Sequence, residues 1–488
     1  MLSSTALIWG VALILLPLSG ALLTFLFRAV ATPIGICVAL AINLCTVRLA
    51  WLISTQEVPR YPLGGWGAPL GIDLYVDGLS MTLLIMSAVV GLAISCYAPS
   101  YFRSARHKLI YFWPLWLFLW TALNALFLSA DIFNLYVTLE LLSLAAVALA
   151  ALAGSADALT GAMRYLLVSL LGSLCYLLGV ALLYHAYATV DIALLAERVV
   201  ASPITSAAFG LMMAGLLLKT ALFPLHFWLP PAHASAAAPV SALLSALVVK
   251  ASYYLLLRLW LEVFGNVNVG IDVILGVFGA AAVLWGSLQA LRQSRLKLLI
   301  AYSTVAQLGY LFVVFPLAAV NANAWQGALY LALSHAFAKA AMFLAAGNML
   351  LFCGHDRIID LDRVVQRLPL SLSAFALAGV SIIGLPPSGG FIGKWLLLEV
   401  AVAHAFWGWA VVIVVGGILA AAYVFRVVGH AFTPAKNTHE VHAVPAVMEW
   451  VALVLATSSI LLGLSATQTL MLFEVGDPFR ILSGEAPS

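Results

Sequence analysis

The chain is built from apolar runs that are each about as long as a bilayer is thick. About 20 apolar residues make one membrane-crossing helix, and the sequence contains fourteen such runs separated by short polar or Pro/Gly-rich connections. Only 8% of the residues are charged and 64% are hydrophobic, whereas a soluble domain carries about 25% charged residues. We therefore predict an all-α membrane protein of about fourteen transmembrane helices. The predicted spans are 3–27, 31–54, 76–98, 110–129, 131–153, 162–186, 204–223, 240–262, 269–290, 297–316, 324–352, 370–400, 404–430 and 446–471.

The basic residues fall mostly on the connections that follow odd-numbered spans. Arg103, Arg106 and Lys108 lie on one of them, and Arg292, Arg295, Lys297, Arg357, Arg363 and Arg367 on two others. The alternate connections are richer in Glu57, Asp73, Asp191, Glu197 and Glu262, and Arg258 is expected to reach the interface near the end of its helix. Cytoplasmic loops carry an excess of Lys and Arg. We therefore expect a multi-pass protein of the cell inner (plasma) membrane with both termini on the non-cytoplasmic side.

Two spans are interrupted in similar ways. The seventh runs directly into the string FPLHFWLPPAH, which includes Pro224 and Pro230, and the twelfth contains the string PPSGG, which comprises Pro386, Pro387, Gly389 and Gly390. Proline removes a backbone donor and kinks a helix. Irregular backbone at membrane depth persists only where protein or water satisfies it. Two broken helices five spans apart are typical of transporters with internal repeats.

Six ionisable residues lie inside the apolar runs, and they are the candidate proton-translocation residues: Glu140, Lys219, Lys250, His335, Lys339 and Lys394. A charge at the bilayer centre costs roughly 2.5–3.5 kcal/mol on insertion scales, so these side chains must face a hydrated interior. The alternative for the lysines is snorkelling to the headgroups, which the central position of Lys250 disfavours. Lys219 and Lys394 could instead stabilise carbonyls freed by the helix breaks.

The remaining polar groups give weaker signals. His335 and Lys339 are four residues apart and share a helix face, so a proton relay competes with ordinary packing of the histidine. Hydroxyl and amide groups on the tenth span either support water or simply pack, namely Tyr302, Ser303, Thr304 and Gln307. His226 and His233 have no nearby carboxylate in the sequence, and no cysteine pair has metal-site spacing. We predict no metal, no cofactor, no nucleic-acid partner and no enzymatic activity of the chain alone.

Several of these segments resemble the antiporter-like membrane subunits shared by complex I, membrane-bound hydrogenases and Mrp-type Na⁺/H⁺ antiporters. The matching strings are NLYVTLELLSL, KTALFPLHFWLPPAHASAAAPVSALLSALVVK, LKLLIAYSTVAQLGY, SHAFAKAAMFLAAG and GLPPSGGFIGKW. The resemblance implies two inverted five-helix repeats, formed by spans 4–8 and 9–13. It also implies a Glu140–Lys219 pair that begins a central polar axis through the other four residues. The implied units are 1–109, 110–262, 269–430 and 446–488.

The chain looks most similar to the D-type component of the Mrp antiporters. It ends soon after its last span, whereas L-type complex I subunits and the A-type Mrp component carry a long extension, and Lys394 stands where M-type subunits typically have glutamate. The resemblance implies a proton-translocating subunit of a multisubunit cation (Na⁺)/proton antiporter, with other membrane subunits as partners. The alternatives are an N/M-type proton-pumping subunit of complex I or a hydrogenase, a proton-coupled subunit of an inorganic-carbon uptake complex, and a non-conducting scaffold.

Overall fold

The computed structural model describes residues 3–55, 60–69, 71–265, 270–362, 364–433 and 442–476. Nearly all of them are helical. The α-helices are α1 Ser3–Leu26, α2 Ala31–Ile53, α3 Gly78–Tyr101, α4 Arg106–Leu128, α5 Ile132–Ala151, α6 Ala156–Tyr187, α7 Ile192–Arg198, α8 Pro203–Thr220, α9 Leu229–Ser235, α10 Ala238–Leu243, α11 Val249–Leu259, α12 Ile271–Arg292, α13 Leu296–Ala318, α14 Asn323–Cys353, α15 Val364–Arg367, α16 Pro369–Ile383, α17 Gly389–Ala403, α18 Trp407–Ala431, α19 Ala446–Leu464 and α20 Ala466–Phe473. Two π-helical stretches, Leu244–Val248 and Trp260–Phe264, flank α11.

The prediction of an all-α membrane protein is confirmed. Among the described residues, 13 helical stretches are long and apolar enough to cross a membrane, and one of them runs continuously from α10 to the second π-helical stretch. The predicted twelfth span is divided into the shorter helices α16 and α17. Together these elements account for the expected fourteen spans.

Three helices form a buried centre around which the others are arranged. In the most apolar part of the Ala238–Phe264 span, 100% of the residues are buried. In the most apolar parts of α13 and α14, the buried shares are 89% and 83%. At most 39% of the residues are buried in the corresponding parts of five outer helices, namely α1, α2, α12, α18 and α19. An outer helix can meet lipid with aliphatic side chains, but a charged group in a central helix can meet only other protein groups or enclosed water. Lys250, His335 and Lys339 all lie on central helices.

A short antiparallel hairpin, β1 Arg60–Pro62 and β2 Asp73–Tyr75, closes one end of the bundle. The hairpin lies in the connection between the second and third spans. Arg60 binds the carboxylate of Asp191 at 3.1 Å, and Asp77, Asp131 and Asp191 accept backbone hydrogen bonds as the N-caps of α3, α5 and α7. We call this end the hairpin face. The opposite end, which carries Arg103, Arg106, Lys108, Arg295 and Arg357, is called the basic face.

Two of the basic residues that were assigned to connections or helix ends lie in other surroundings than predicted. Lys297 was expected in a loop, but it is the second residue of α13 and is 3% exposed. Arg258 was expected to reach the interface, but it is 3% exposed and binds Asp77 and Glu262. Each of the two cations therefore binds another part of the protein, either a residue that is distant in sequence or one that is a helical turn away. Glu57 and Arg363 lie outside the described residues, and the side of the membrane on which each terminus lies stays a prediction.

Candidate functional site

The first helix break separates α8 from α9. Helix α8 ends at Thr220, and Ala221 adopts a left-handed conformation with φ of 58°. Pro224 lies in the irregular segment that follows, and Pro230 lies in the first turn of α9, where proline needs no backbone donor. The indole of Trp228 donates to the carbonyl of Leu218 at 2.9 Å, and the backbone N–H of Ala221 donates to the same carbonyl in the last turn of the helix at 3.2 Å.

Lys219 lies in the last turn of α8 and faces Glu140 on α5. The lysine Nζ is 3.8 Å from Glu140 Oε2, and it donates shorter hydrogen bonds to Ser143 at 2.7 Å and Ser169 at 2.8 Å. The hydroxyl of Ser173 donates to the same glutamate oxygen. The two charges are therefore close enough to attract each other, but serine hydroxyls hold each of them. The expected Glu140–Lys219 pair is present in this form.

Glycines allow the helix that carries Lys219 to approach its neighbour. A Cβ added to Gly215 would lie 2.3 Å from the carbonyl oxygen of Gly172 on α6, and one added to Gly172 would lie 3.2 Å from Lys219 Cγ. Real Cβ atoms do not approach backbone this closely. The Gly172–Gly215 contact thus brings the backbones of α6 and α8 together and sets the depth of the lysine.

The second break separates α16 from α17 and holds Lys394. Pro386 and Pro387 lie in the turn between the helices, while Gly389 and Gly390 are the first two residues of α17. A Cβ on Gly390 would lie 1.9 Å from the carbonyl oxygen of Ser381, so only glycine fits against the end of α16.

The amine of Lys394 occupies the end of the half-helix α16. It donates to the carbonyls of Ile382 at 2.9 Å and Ile383 at 3.0 Å, which have no partners within their own helix. Its Nζ also lies 4.3 Å from the ring centroid of Tyr310 on α13. Carbonyl dipoles and an aromatic face thus surround this cation, and no carboxylate lies within 4.0 Å of it among the described residues.

Lys250 is fully buried directly after the first π-helical stretch. Its Nζ donates to the carbonyl of Ser245, five residues earlier, and this carbonyl lies within the π-helical stretch. A π-bulge interrupts the regular i→i+4 pattern and is frequent at functional sites. The hydroxyl of Ser245 in turn shares a hydrogen bond with Thr304 on α13 at 2.9 Å. Helix α13 is therefore linked directly to the lysine-bearing span.

Lys339 and His335 occupy one face of α14. The amine of Lys339 donates to the Ser303 hydroxyl and, at 3.2 Å, to the Ile300 carbonyl, both on α13. His335 lies one turn away and is 4% exposed, and neither ring nitrogen has a hydrogen-bond partner among the described residues. It lies within electrostatic reach of Lys250, Lys339 and Lys394.

The structure therefore places all six predicted residues at buried or half-buried positions. Helix α13 contacts Lys339, Lys394 and the serine that holds Lys250. Glu140 and Lys219 instead pair between α5 and α8. Sequence reasoning missed the groups that hold them. Ser143, Ser169, Ser173 and Ser245 gave no signal, because buried serines are common and only the fold shows which ones face a lysine. Tyr310 lies two turns beyond Ser303 on α13, and the helical spacing of Ser303, Gln307 and Tyr310 could have indicated a shared face.

A cavity of about 550 Å³ reaches from the basic face toward this series. Its lining includes Lys108, Arg295, Lys297 and the backbone between α9 and α10. Lys297 donates to the Ala236 carbonyl in that backbone. Nearby His233 is fully buried, donates from Nδ1 to the Leu229 carbonyl at 2.9 Å in the matching tautomer, and lies within electrostatic reach of both Lys250 and Lys297.

The described residues contain no group of three His, Cys, Asp or Glu side chains that could hold a metal ion. His226 and His233, whose sequence surroundings are unsuited to a metal, do not converge on a carboxylate in the described part of the chain. The polar groups of the site are amines, a carboxylate, hydroxyls and imidazole. Such groups can bind water and exchange protons.

Comparisons with known proteins identify relatives of this chain. The family model described as "NADH:quinone oxidoreductase/Mrp antiporter, TM" matches residues 129–421. The N-type subunit of the NADH-quinone oxidoreductase of Desulforudis audaxviator is 39% identical over 394 residues, covering 79% of this chain and 78% of that protein. The D-type component of the Na(+)/H(+) antiporter of Bacillus subtilis is 28% identical over 414 residues, covering 83% and 81%.

A solved structure has the same fold. One protein of the Mrp complex from Dietzia sp. DQ12-45-1b superposes with a TM-score of 0.87 at 23% identity, covering 97% of this chain and 99% of that one. The family match spans more than half of the chain and includes both helix breaks and every embedded lysine. The chain belongs to the NADH:quinone oxidoreductase/Mrp antiporter transmembrane family.

Proposed function

We propose that this chain is the proton-translocating, D-type component of a multisubunit cation (Na⁺)/proton antiporter. Protons move along the buried series formed by Glu140, Lys219, Lys250, His335, Lys339 and Lys394. The D-type antiporter component of Bacillus subtilis supports this assignment by its similarity over most of both chains. Membrane ion-translocating subunits of this family do not act as enzymes on their own, and solved relatives lie within multisubunit complexes.

The observation that carries the proposal is the separated Glu140–Lys219 pair. At 3.8 Å the two groups attract each other, while Ser143 and Ser169 compete for the lysine. A tight pair favours the charged lysine, whereas separation leaves a desolvated ammonium that readily loses its proton. Small movements of α5 or α8 therefore change the proton affinity of Lys219, which is what a pump or antiporter needs.

The next steps use Lys250, His335 and Lys339. Like charges in a low-dielectric interior disfavour each other, so the arrival of a proton on one lysine promotes its release from the next. His335 lies within electrostatic reach of three lysines, and its ring nitrogens have no other partner among the described residues. A neutral imidazole accepts a proton at one nitrogen and releases one from the other. In this proposal, His335 passes protons toward Lys394.

The cavity on the basic face supports access from that side. Water in the cavity would reach Lys297, which is held at the break between α9 and α10. His233 is near enough to both Lys297 and Lys250 for their charges to act on it. By the positive-inside rule this face is cytoplasmic. We propose that protons exchange with the cytoplasm here and that both termini lie on the other side of the membrane.

Proton flux in vesicles that contain the assembled native complex tests the proposal. Lys219→Ala and Glu140→Ala should each abolish cation-driven proton movement, because each removes one member of the pair. Glu399→Gln is the matched control, since Glu399 lies exposed on α17 and contacts none of the six residues. Assembly is checked by purification of the complex and quantification of its subunits. Normal flux in an assembled Lys219→Ala complex would refute the proposal.

The second candidate is a proton-pumping subunit of a redox-driven quinone oxidoreductase. The observation that favours this second candidate is the 39% identity to the N-type subunit of the NADH-quinone oxidoreductase of Desulforudis audaxviator. Mass spectrometry of the companions that copurify with the chain distinguishes the two, because small antiporter subunits and quinone-reductase subunits differ in mass and sequence. A soluble zinc-binding companion would instead indicate inorganic-carbon uptake. Wild-type flux in the double variant Lys250→Ala/Lys394→Ala would indicate a non-conducting scaffold.

A further inference from the structure

A second cavity on the basic face is lined by three arginines. It has a volume of about 370 Å³ and lies where the α1–α2 and α3–α4 connections meet. Arg28 comes from the first connection, Arg103 from the second, and Arg106 from the first turn of α4. The rest of the lining is small or apolar, with Thr32 and Trp113 at its inner side, and it contains no carboxylate. This cavity is separate from the one that holds Lys297.

None of the three guanidinium groups is neutralised within the described part of the chain. The ion pairs found there do not involve Arg28, Arg103 or Arg106. Arg28 lies over the rings of Phe25 at 5.5 Å and Tyr111 at 6.0 Å. These contacts orient the guanidinium but leave its charge uncompensated. Three converging cations without a counter-ion repel one another, and a bound anion would remove that repulsion.

The surface beside this arginine cavity is apolar. Phe25, Leu26, Phe27, Val30 and Tyr111 are between 48% and 68% exposed. They belong to the ends of membrane-spanning helices or to the connection between them, so they lie at the level where acyl chains meet headgroups. A ligand that fills the cavity and covers this surface must join a phosphate-sized anion to hydrocarbon chains.

We propose that the arginine cavity binds the phosphodiester of an anionic phospholipid, whose acyl chains cover the exposed apolar residues beside it. Arginine forks match phosphate oxygens in pairs and are preferred to lysine for this purpose. Basic pockets between transmembrane helices on the cytoplasmic side are known to accept anionic headgroups. Choline or ethanolamine headgroups would bring an ammonium group to a cavity that already holds three cations, so a net anionic lipid is favoured.

Native mass spectrometry of the purified complex from mixed phosphatidylcholine and phosphatidylglycerol nanodiscs tests this. The wild-type complex should retain phosphatidylglycerol, and the triple variant Arg28→Gln/Arg103→Gln/Arg106→Gln should bind it about a hundredfold more weakly. The charge-matched control is Arg292→Gln/Arg357→Gln/Arg367→Gln, which removes three exposed arginines of the basic face. That control should retain the lipid as the wild type does.

Two further measurements keep the proposal falsifiable if the triple variant assembles poorly. Arg28→Lys/Arg103→Lys/Arg106→Lys preserves the charge and should retain part of the affinity. In the wild-type complex, phosphatidylglycerol should raise the thermal transition where phosphatidylcholine alone does not. Displacement of the lipid by millimolar inorganic phosphate would mean a free-anion site, and equal lipid retention in both triple variants would overturn the proposal. Cross-linking of these arginines to an acidic segment of a companion protein would do so as well.

Discussion

The guanidinium of Arg258 donates two hydrogen bonds to the carboxylate of Asp77, at 2.5 and 2.8 Å, and a third to Glu262 at 2.5 Å. Asp77 is fully buried and also caps α3 by accepting from the backbone of Ser80 at 2.8 Å. The interaction joins the start of α3 to the end of the span that carries Lys250. The most buried span of the bundle is thus anchored at the hairpin face by a desolvated ion pair.

Loss of Arg258 should destabilise the protein strongly. Arg258→Met leaves the buried Asp77 without its cation, and removal of one partner of a buried pair costs about 3–5 kcal/mol. Asp77→Asn should cost less, because Glu262 still compensates the arginine. Thermal unfolding of the purified complex in detergent measures both. Arg198→Met, at an exposed position on α7 of the same face, should change stability by no more than about 0.5 kcal/mol.

The thermal stability of the hairpin face should depend on pH through Asp131. Burial raises the pKa of Asp131 to about 6, and the carboxylates of Asp191 and Asp73 add to the effect against the hydrogen bonds from Asn134 and Phe133. Arg60 faces the same group of carboxylates but binds Asp191 and Asp73. Because the folded state holds this proton more tightly, the resulting stability is complete below about pH 4 and is lost as the pH rises through about 6.

Asp131→Asn keeps an N-cap for α5 and removes the titrating group. Relative to this variant, the wild-type complex should lose thermal stability between about pH 4 and pH 6. Ser155→Asn is the control, since it replaces the N-cap of α6 without adding or removing a titratable group. Its difference from the wild type should stay constant with pH. A wild-type curve parallel to that of Asp131→Asn would show that Asp131 does not titrate in this range.

Sequence patterns predicted which residues carry charge into the membrane, but not what holds each charge. Helix count and both breaks follow from local features, namely run length and Pro/Gly strings. The serine partners of Lys219 come from α5 and α6, which are 76 and 50 residues away along the chain. Such partners depend on how helices pack, and hydropathy does not encode this for a buried serine.

Arg258 and Lys297 show why the position of a charge near a helix end is a poor guide to its partner. A cation there can reach the headgroups, and that is the usual outcome. Arg258 instead meets Asp77, whose string YVDGLS contains a capping signal but does not reveal a partner 181 residues away. Lys297 meets the carbonyl of Ala236, the residue that follows the end of α9, and this carbonyl also accepts from the Ser241 hydroxyl at 3.3 Å.

The ring of Tyr310 should affect transport through Lys394. Tyr310→Phe keeps the aromatic face 4.3 Å from the amine and should retain most of the proton flux. Tyr310→Leu removes the face and should lower the flux several-fold, because a cation–π contact contributes about 2 kcal/mol when desolvated. Flux in vesicles is compared at equal amounts of assembled complex. Equal flux in the two variants would show that the ring only fills space.

The close contact between α6 and α8 should tolerate no side chain at Gly215. A Cβ there would lie 2.3 Å from the Gly172 carbonyl oxygen, so Gly215→Ala must push α8 away from α6 and displace Lys219 from Ser169. We expect lower thermal stability and loss of proton flux. Gly210→Ala is the matched control on the same helix, because a Cβ at Gly210 meets nothing within 4 Å. It should be neutral or stabilise the helix by about 0.5–1 kcal/mol, since alanine is the better helix former. Normal flux in Gly215→Ala would mean that the depth of Lys219 is not set by this contact.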